Sequence, residues 1–283
     1  MPRPPRLNLA GATYHVMNRG NRKACVFEDD RDCRQFLNIL IQVSNEFMVE
    51  VLAGSLMVNH FHLLVTTPLG NLSEFMQQLQ GRFAQYYNRR HKRVGHLFGG
   101  RFKAPIIEND LHLLTAAAYI FMNPVRAGLV NRMEDWRWST YAASAGLAPV
   151  PPYLSLAWVD RLCAAGSREQ SQLKLREFML TEHPVESYLA ATEPVYGSAP
   201  FRREIRSYIG ERLFLKSVPR AYRAVFRPSI RELVPEGITQ NERSLAIRRA
   251  HVVYGYRLTE IARSLNVHPS TAGRMMRAFQ SSA

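Results

Sequence analysis

Cysteine, acidic residues and long apolar runs are all scarce in this sequence. Its three cysteines, Cys25, Cys33 and Cys163, are odd in number and never spaced as Cys-x-x-Cys. That pattern argues against a disulfide framework or a zinc ribbon and fits a reducing compartment. No stretch approaches about 18 uninterrupted apolar residues, the length of a membrane span, and no apolar run follows the N-terminal Met1–Arg6. We therefore expect neither a signal peptide nor a membrane helix, and a cytoplasmic location.

The shortage of acidic residues leaves a large positive charge. Lys and Arg number 37 against 23 Asp and Glu, which gives a formal net charge of +14. The surplus is +6 over residues 1–145 (17 basic, 11 acidic), −2 over 146–200 (4 and 6) and +10 over 201–283 (16 and 6). Such a charge favours a polyanionic partner, with nucleic acid ahead of an anionic membrane.

Hydrophobic periodicity in the first half of the chain predicts the order β-α-β-β-α-β-α. The predicted strands cover residues 12–17, 49–57, 60–67 and 104–107. The predicted helices cover residues 29–46, 74–90 (with Ser73 as N-cap) and 110–122. The last helix should end at Asn123, because a proline disfavours helical geometry in the residue before it. This order indicates an α+β fold with helices packed on one side of an antiparallel or mixed sheet, a split βαβ arrangement of the ferredoxin or RRM type.

Composition divides the chain into three predicted parts. Residues 1–145 would form the α+β domain, and residues 146–200, which are richer in Ala, Pro and Ser, predict a helical connector. Residues 201–283 predict a basic, all-α domain.

The end of the chain, about residues 252–279, has the pattern of a helix-turn-helix. Thr259 would cap the first helix, and the second would open near Ser270 and carry Arg274 and Arg277. The second helix of such a motif lies in the major groove, so we expect this region to bind duplex DNA. A plain helical hairpin remains the alternative.

Two histidines stand one residue apart in the predicted return strand, His60 and His62 around Phe61. Because a strand sends residues i and i+2 to the same face, both imidazoles would point one way. Two neutral imidazoles side by side form half of a divalent metal site. The alternative is a pair of unrelated, partly buried histidines.

A tyrosine and an asparagine four residues apart, Tyr119 and Asn123, would share one face of the last predicted helix. The Asn123 amide could complete the metal site, and a tyrosine can attack a phosphodiester and hold the broken end covalently. The run Ala116–Ala118 would allow this helix to approach the sheet closely. A core tyrosine followed by a capping asparagine is the competing interpretation.

Four motifs follow one another over residues 10–140. They are Tyr14-His15-Val16 with Asn18-Arg19-Gly20 and Arg22; Val58-Asn59-His60-Phe61-His62-Leu63-Leu64; Gly95-His96-Leu97-Phe98 with Gly100-Arg101-Phe102; and Tyr119-Ile120 with Asn123-Pro124-Val125 and Gly128. In this order and spacing they resemble the single-tyrosine HUH transposases, most closely the REP-associated type. The C-terminal region resembles the DNA-binding end of bacterial replication initiators.

The resemblance implies a metal-dependent endonuclease and strand transferase that acts on single-stranded DNA, at hairpin-forming repeats. It implies His60 and His62 as metal ligands, Asn123 as a third ligand, Mg²⁺ or Mn²⁺ as the cofactor, and Tyr119 as the nucleophile. The intermediate would be a 5′-phosphotyrosine beside a free 3′-OH. The protein would be a monomer or a homodimer.

Basic residues would hold the DNA phosphates in two places. Those expected at the nuclease domain lie within the first motif and along a basic, glycine-rich loop at residues 89–103, and they are Arg19, Arg22, Arg89, Arg90, Lys92, Arg93, Arg101 and Lys103. Those expected in the C-terminal region are Arg274 and Arg277. Association with the nucleoid would follow.

Two other functions compete with this one. The first is a DNA-binding regulator that derives from a transposase and has lost catalysis. The second is an unrelated His-x-His hydrolase of small molecules, which would have no use for a net charge of +10 at one end.

Overall fold

A computed structural model of the chain describes residues 8–108, 111–162, 166–181, 195–209, 228–235, 237–252, 254 and 256–277. These residues fall into two compact units, one within residues 8–197 and the other within residues 198–283. None of the helices in these ranges combines the length and the apolar character that crossing a membrane requires.

The first unit is built on a five-stranded sheet with the strand order β2-β3-β1-β4-β5. The strands are β1 (Ala12–Arg19), β2 (Glu50–Met57), β3 (His60–Thr67), β4 (Ile106–Ile107) and β5 (Val195–Tyr196). All neighbouring pairs are antiparallel except β4 and β5, which are parallel. The α+β class and the β-α-β-β-α-β-α order are therefore confirmed, and β5 is an addition that the sequence did not predict.

Helices cover both faces of this sheet. The three largest are α1 (Asp30–Phe47), α2 (Leu72–Arg90) and α3 (Leu111–Arg126). Phe61 of β3 contacts Phe36 of α1, which contacts Phe83 of α2, with ring centroids 5.0 and 5.1 Å apart. The next residue along β3, His62, contacts Tyr119 of α3. Because consecutive strand residues point to opposite faces, α1 and α2 lie on one face and α3 on the other. The expectation of helices on one side is wrong, since periodicity does not say which face a helix covers.

The course of α3 also differs from the prediction. The helix continues through Asn123 and Pro124 to Arg126. Pro124 and Phe121 are buried, and the chain beyond stays hydrogen bonded, with the Ala127 N–H donating to the Asn123 carbonyl. Tertiary burial here outweighs the local preference against helix before proline. One more turn of helix is thereby added next to Tyr119.

The start of α2 is likewise earlier than predicted. Asn71, and not Ser73, stands at its N-cap position, and the Asn71 side chain donates to the Phe47 carbonyl at 2.8 Å instead of capping the helix.

Residues 146–162 and 166–181 pack against the sheet of the first unit. Helices α4 (Tyr141–Ser144), α5 (Ala157–Leu162) and α6 (Arg168–Leu180) follow α3. Trp158 of α5 is 1% exposed and its indole donates to the Leu52 carbonyl at 2.8 Å. The Ser155 amide donates to the Val51 carbonyl of β2, and the Leu56 amide of β2 donates to the carbonyl of Trp138, which lies just before α4. The outer edge of β2 is therefore covered within the chain. Residues 163–165 and 182–194 of the predicted connector lie outside the described residues.

The second unit is helical. Its described helices are α7 (Ala199–Ile209), α8 (Ile230–Leu233), α9 (Gln240–Val252), α10 (Leu258–Ser264) and α11 (Pro269–Arg277). Ile247, Ala250, Ile261 and Ala272 form its core. Residues 265–268 separate α10 from α11 and include the turn that the sequence predicts at residues 265–267, but the N-cap of α10 is Arg257 and not Thr259. Residues 253, 255 and 278–279 of the predicted motif lie outside those described.

Candidate functional site

A cleft of about 720 Å³ opens beside the sheet in the first unit, where β1, β3 and α3 meet. Its lining includes His60, His62, Tyr119 and Asn123, four residues that the sequence analysis singled out. The alternation of β3 brings the two histidines together, as predicted, and their ring centroids are 5.0 Å apart.

The inner histidine, His62, is nearly fully buried. Its Nδ1 lies 2.8 Å from Nε2 of His15 on β1, and its Nε2 has no hydrogen-bond partner among the described residues. Burial, assisted by the positive charge that His15, His60 and Arg19 would bring, holds the pKa of His62 well below its usual value. His62 is therefore neutral near pH 7, and its buried Nε2 atom forms no hydrogen bond with the described residues.

The outer histidine, His60, is held in a similar way. Its Nδ1 lies 2.7 Å from Oδ1 of Asn59, whose amide group in turn donates to the Lys23 carbonyl at 3.1 Å. Burial first, and the charge of Arg19 second, lower the pKa of His60 to about 4. A neutral imidazole keeps a lone pair that can bind a cation.

Tyr119 projects from α3 towards this pair. Its ring centroid lies 5.6 Å from that of His62 and 5.7 Å from that of His15. Ala116, Ala117 and Ala118 are all 0% exposed, so small side chains let α3 pack closely on the sheet, as expected. One turn on, the Asn123 side-chain N–H donates to the Tyr119 carbonyl at 2.8 Å. With the amide in this orientation, the Oδ1 atom of Asn123 stays available to another partner.

The side chains of His60, His62 and Asn123 offer ligand atoms that suit a divalent cation. The unpartnered, buried Nε2 of His62 is the kind of atom that a metal satisfies, and His60 and Asn123 line the same cleft. In the described part of the chain, no group of three or more His, Cys, Asp or Glu side chains is arranged to hold a metal. A site here would thus consist of two imidazoles and one amide. Because imidazole is a poor ligand for Mg²⁺, this mixed set suits Mn²⁺ better.

The cleft is strongly basic. Six lining residues are cations, namely Arg19, Arg22, Lys23, Arg101, Lys103 and Arg126, and no Asp or Glu stands among the described residues that line it. Four of the six were predicted as DNA contacts, while Lys23 and Arg126 were not. Arg126 follows Tyr119 by seven residues, so it shares the helix face of Tyr119 and Asn123. This spacing was visible in the sequence, but the helix was expected to end before it.

The loop between β1 and α1 forms one wall of the cleft under tight backbone constraints. A Cβ atom on Gly20 would lie 2.0 Å from the Ala24 carbonyl oxygen, so a side chain is excluded there. Arg22 and Lys23 adopt left-handed φ angles of 54° and 63°, a conformation that costs energy for residues other than glycine. The chain accepts this cost where two cations face the cleft.

Four of the predicted DNA contacts are not brought to the cleft. Arg89, Arg90, Lys92 and Arg93 are absent from its lining. Arg90 forms ion pairs with Asp29 and with the fully buried Asp32, and Arg93 pairs with Glu28 at 2.9 Å. In the structure, Arg90 and Arg93 therefore join the end of α2 to the region around the start of α1.

The remaining predicted DNA contacts belong to the second unit. Arg274 is exposed on α11, and Arg277 is the last residue of that helix.

Comparison with known proteins bears on the first unit. Residues 8–123 match the family described as "Transposase IS200 like". A protein of Haemophilus influenzae, assigned by name to the REP-associated tyrosine transposases, is 26% identical over 118 residues, which cover 38% of this chain and 67% of that protein. The REP-associated tyrosine transposase of Escherichia coli is 23% identical over 144 residues, 50% of this chain and 83% of that protein.

Among solved structures, a REP-associated tyrosine transposase bound to a REP hairpin matches with a TM-score of 0.45 and 21% identity, over 55% of this chain and 93% of that one. The histidine pair, Tyr119 and Asn123 all fall inside the range that the family model matches. The family match over residues 8–123 and the two relatives confirm the resemblance to the IS200-like and REP-associated tyrosine transposases that the four motifs indicated.

Proposed function

We propose that this transposase-like chain cuts and rejoins single-stranded DNA, with Tyr119 as the nucleophile. One observation carries the proposal: Tyr119 packs against His62 and His15 in a cleft that also holds His60, Asn123 and six cations. Positive charge without acidic neighbours suits a phosphodiester backbone. The match to a transposase family favours DNA over other polyanions as the substrate.

The reaction follows from the groups present. The Tyr119 oxygen would attack the scissile phosphorus, the bond from phosphorus to the 3′ oxygen would break, and a 5′-phosphotyrosine would remain. The phenol loses its proton to solvent, and the departing 3′ oxygen gains one. Rejoining reverses these steps with a 3′-OH as the attacking group.

The surrounding side chains would orient the substrate. His60, His62 and Asn123 would hold a Mn²⁺ or Mg²⁺ ion, which when bound offsets negative charge on the phosphate. Arg126 and Lys103, which line the cleft with Tyr119, would hold the flanking phosphates. Fixing the phosphate beside the phenol converts a bimolecular attack into an intramolecular one.

A cleavage assay with two tyrosine variants tests the proposal. Tyr119→Phe should abolish Mn²⁺-dependent cutting of a hairpin-forming oligonucleotide but leave its binding intact. Tyr86→Phe is the matched control, because the Tyr86 hydroxyl is buried without a hydrogen-bond partner among the described residues and its loss should change little. Cleavage by the Tyr119→Phe variant would refute the assignment of Tyr119 as the nucleophile. Binding without cutting by the unaltered protein would favour the catalytically silent regulator.

The second unit would add duplex binding. Its part of the sequence carries the net charge of +10, and α11 buries Ala272 while exposing Ser270 and Arg274. A short helix with one buried and one polar, basic face is suited to a DNA groove. We propose that this unit binds duplex DNA.

A further inference from the structure

Each of the two histidines of the candidate metal site has a hydrogen-bond partner that plays no part in the proposed reaction. For His62 the partner is His15, and for His60 it is Asn59. In both cases the contact is made at Nδ1, so the opposite ring nitrogen, Nε2, is the one left for a ligand.

The contact between His15 and His62 is fixed by the sheet. His15 pairs with Leu64 across the ladder between β1 and β3, and Met17 pairs with His62. His15 and His62 are therefore diagonal neighbours on one face, and both are buried, at 0% and 3% exposure. Neither ring can turn away without disturbing the packing between the sheet and α3.

A single proton lies between the two rings, and its position decides what His62 can do. If Nε2 of His15 carried it, the proton of His62 would sit on its buried, unpartnered Nε2, which would then be a donor with nothing to bond. If Nδ1 of His62 carries it and His15 accepts, Nε2 of His62 presents a lone pair instead. Only the second arrangement can bind a cation.

The same reasoning applies to His60, where the Lys23 carbonyl determines which partner donates in the hydrogen bond between Asn59 and His60. The Asn59 amide nitrogen donates to the Lys23 carbonyl, so the Asn59 oxygen is the atom that faces His60. An amide oxygen only accepts, and Nδ1 of His60 must therefore donate. Both histidines are thus driven into the form that is protonated at Nδ1.

We infer that His15 and Asn59 are positioning residues that hold His60 and His62 with Nε2 unprotonated, ready to bind a divalent cation. This inference rests on the metal site of the proposed function. Outer partners of this kind typically change metal affinity by about 10- to 100-fold when they are removed. His15 would not touch the metal, and its removal would act through the orientation and tautomer of His62.

Nuclear magnetic resonance of the metal-free, full-length protein with ¹⁵N-labelled histidine reads the tautomers directly. We expect His60 and His62 to be neutral and protonated at Nδ1. Protonation of His62 at Nε2 would overturn the inference. This measurement uses the unaltered protein, so it does not depend on whether a variant folds.

Mn²⁺ affinity, measured by electron paramagnetic resonance of the free ion, gives the second test. His15→Phe keeps a flat ring but cannot accept, and it should weaken binding by about 10- to 100-fold. His15→Gln places an amide oxygen near the position of Nε2 and should restore most of the affinity. Equal Mn²⁺ affinity in His15→Phe and the unaltered protein would overturn the inference while leaving the metal site standing. Failure of the unaltered protein to bind Mn²⁺ would instead refute the metal site, and the tautomers would then decide the positioning role alone.

Discussion

Lowering the pH should destabilise the first unit already at pH values well above those at which carboxylates titrate. The reason is that this unit buries histidines in their neutral form. Burial lowers the pKa of His15 to about 3, against about 6.5 in an unfolded chain. Between these values the unfolded state takes up a proton that the native state refuses, so the free energy of unfolding falls as the pH drops through 6.5 and levels off only near 3. From about pH 7.5 to about pH 5 the loss from His15 alone is about 2 kcal/mol. His62, with its pKa also lowered by burial, acts in the same direction.

Urea unfolding with tryptophan fluorescence, in the presence of a chelator, measures this loss. All three tryptophans, at positions 136, 138 and 158, belong to the first unit, so the signal reports that unit alone. His15→Gln should lose about 2 kcal/mol less than the unaltered protein over the same pH range, because glutamine does not titrate. That difference is a large part of the 5–15 kcal/mol typical of a domain. Parallel pH profiles for the two proteins would show that His15 is not buried in its neutral form.

Three further predictions concern the partners of the two units. Arg126→Gln should weaken binding of single-stranded DNA and reduce the slope of log affinity against log salt by about 0.7, whereas Arg89→Gln, outside the cleft, should leave the slope nearly unchanged; equal effects would place the DNA elsewhere. Asn123→Ala should weaken Mn²⁺ binding at least about 10-fold, and unchanged affinity would remove Asn123 from the ligand set. Arg274→Gln should lower affinity for duplex DNA without changing the cutting of a single-stranded oligonucleotide, and a loss of cutting would contradict the division of roles between the units.

Much of the candidate site could be predicted from local sequence pattern. Alternation in β3 is enough to place His60 and His62 on one face, and a helical spacing of four places Asn123 beside Tyr119. His15 could not be found in this way, because its contact with His62 depends on the register between β1 and β3, which pairs residues about 50 positions apart. Long-range pairing of this kind leaves no trace in a short window of sequence.

Two other differences arise where tertiary contacts override local rules. Arg126 was missed because Pro124 predicts the end of a helix, and burial of that proline in the core keeps the helix intact. Arg90 lies in a basic run and stays a predicted DNA contact, but that run gives no sign of its ion pairs with Asp29 and Asp32, which stand about 60 residues away. A basic run shows that charge is present, while the ion pairs of the folded chain show which of these charges already have an acidic partner.

Trapping of the covalent intermediate tests the central claim most directly. A hairpin oligonucleotide cut in the presence of Mn²⁺ should leave its 5′ phosphate on the protein, and mass spectrometry of the digested adduct should locate the nucleotide on the peptide that contains Tyr119. Attachment at another tyrosine, or complete cutting with no protein-bound DNA at any time, would contradict the account.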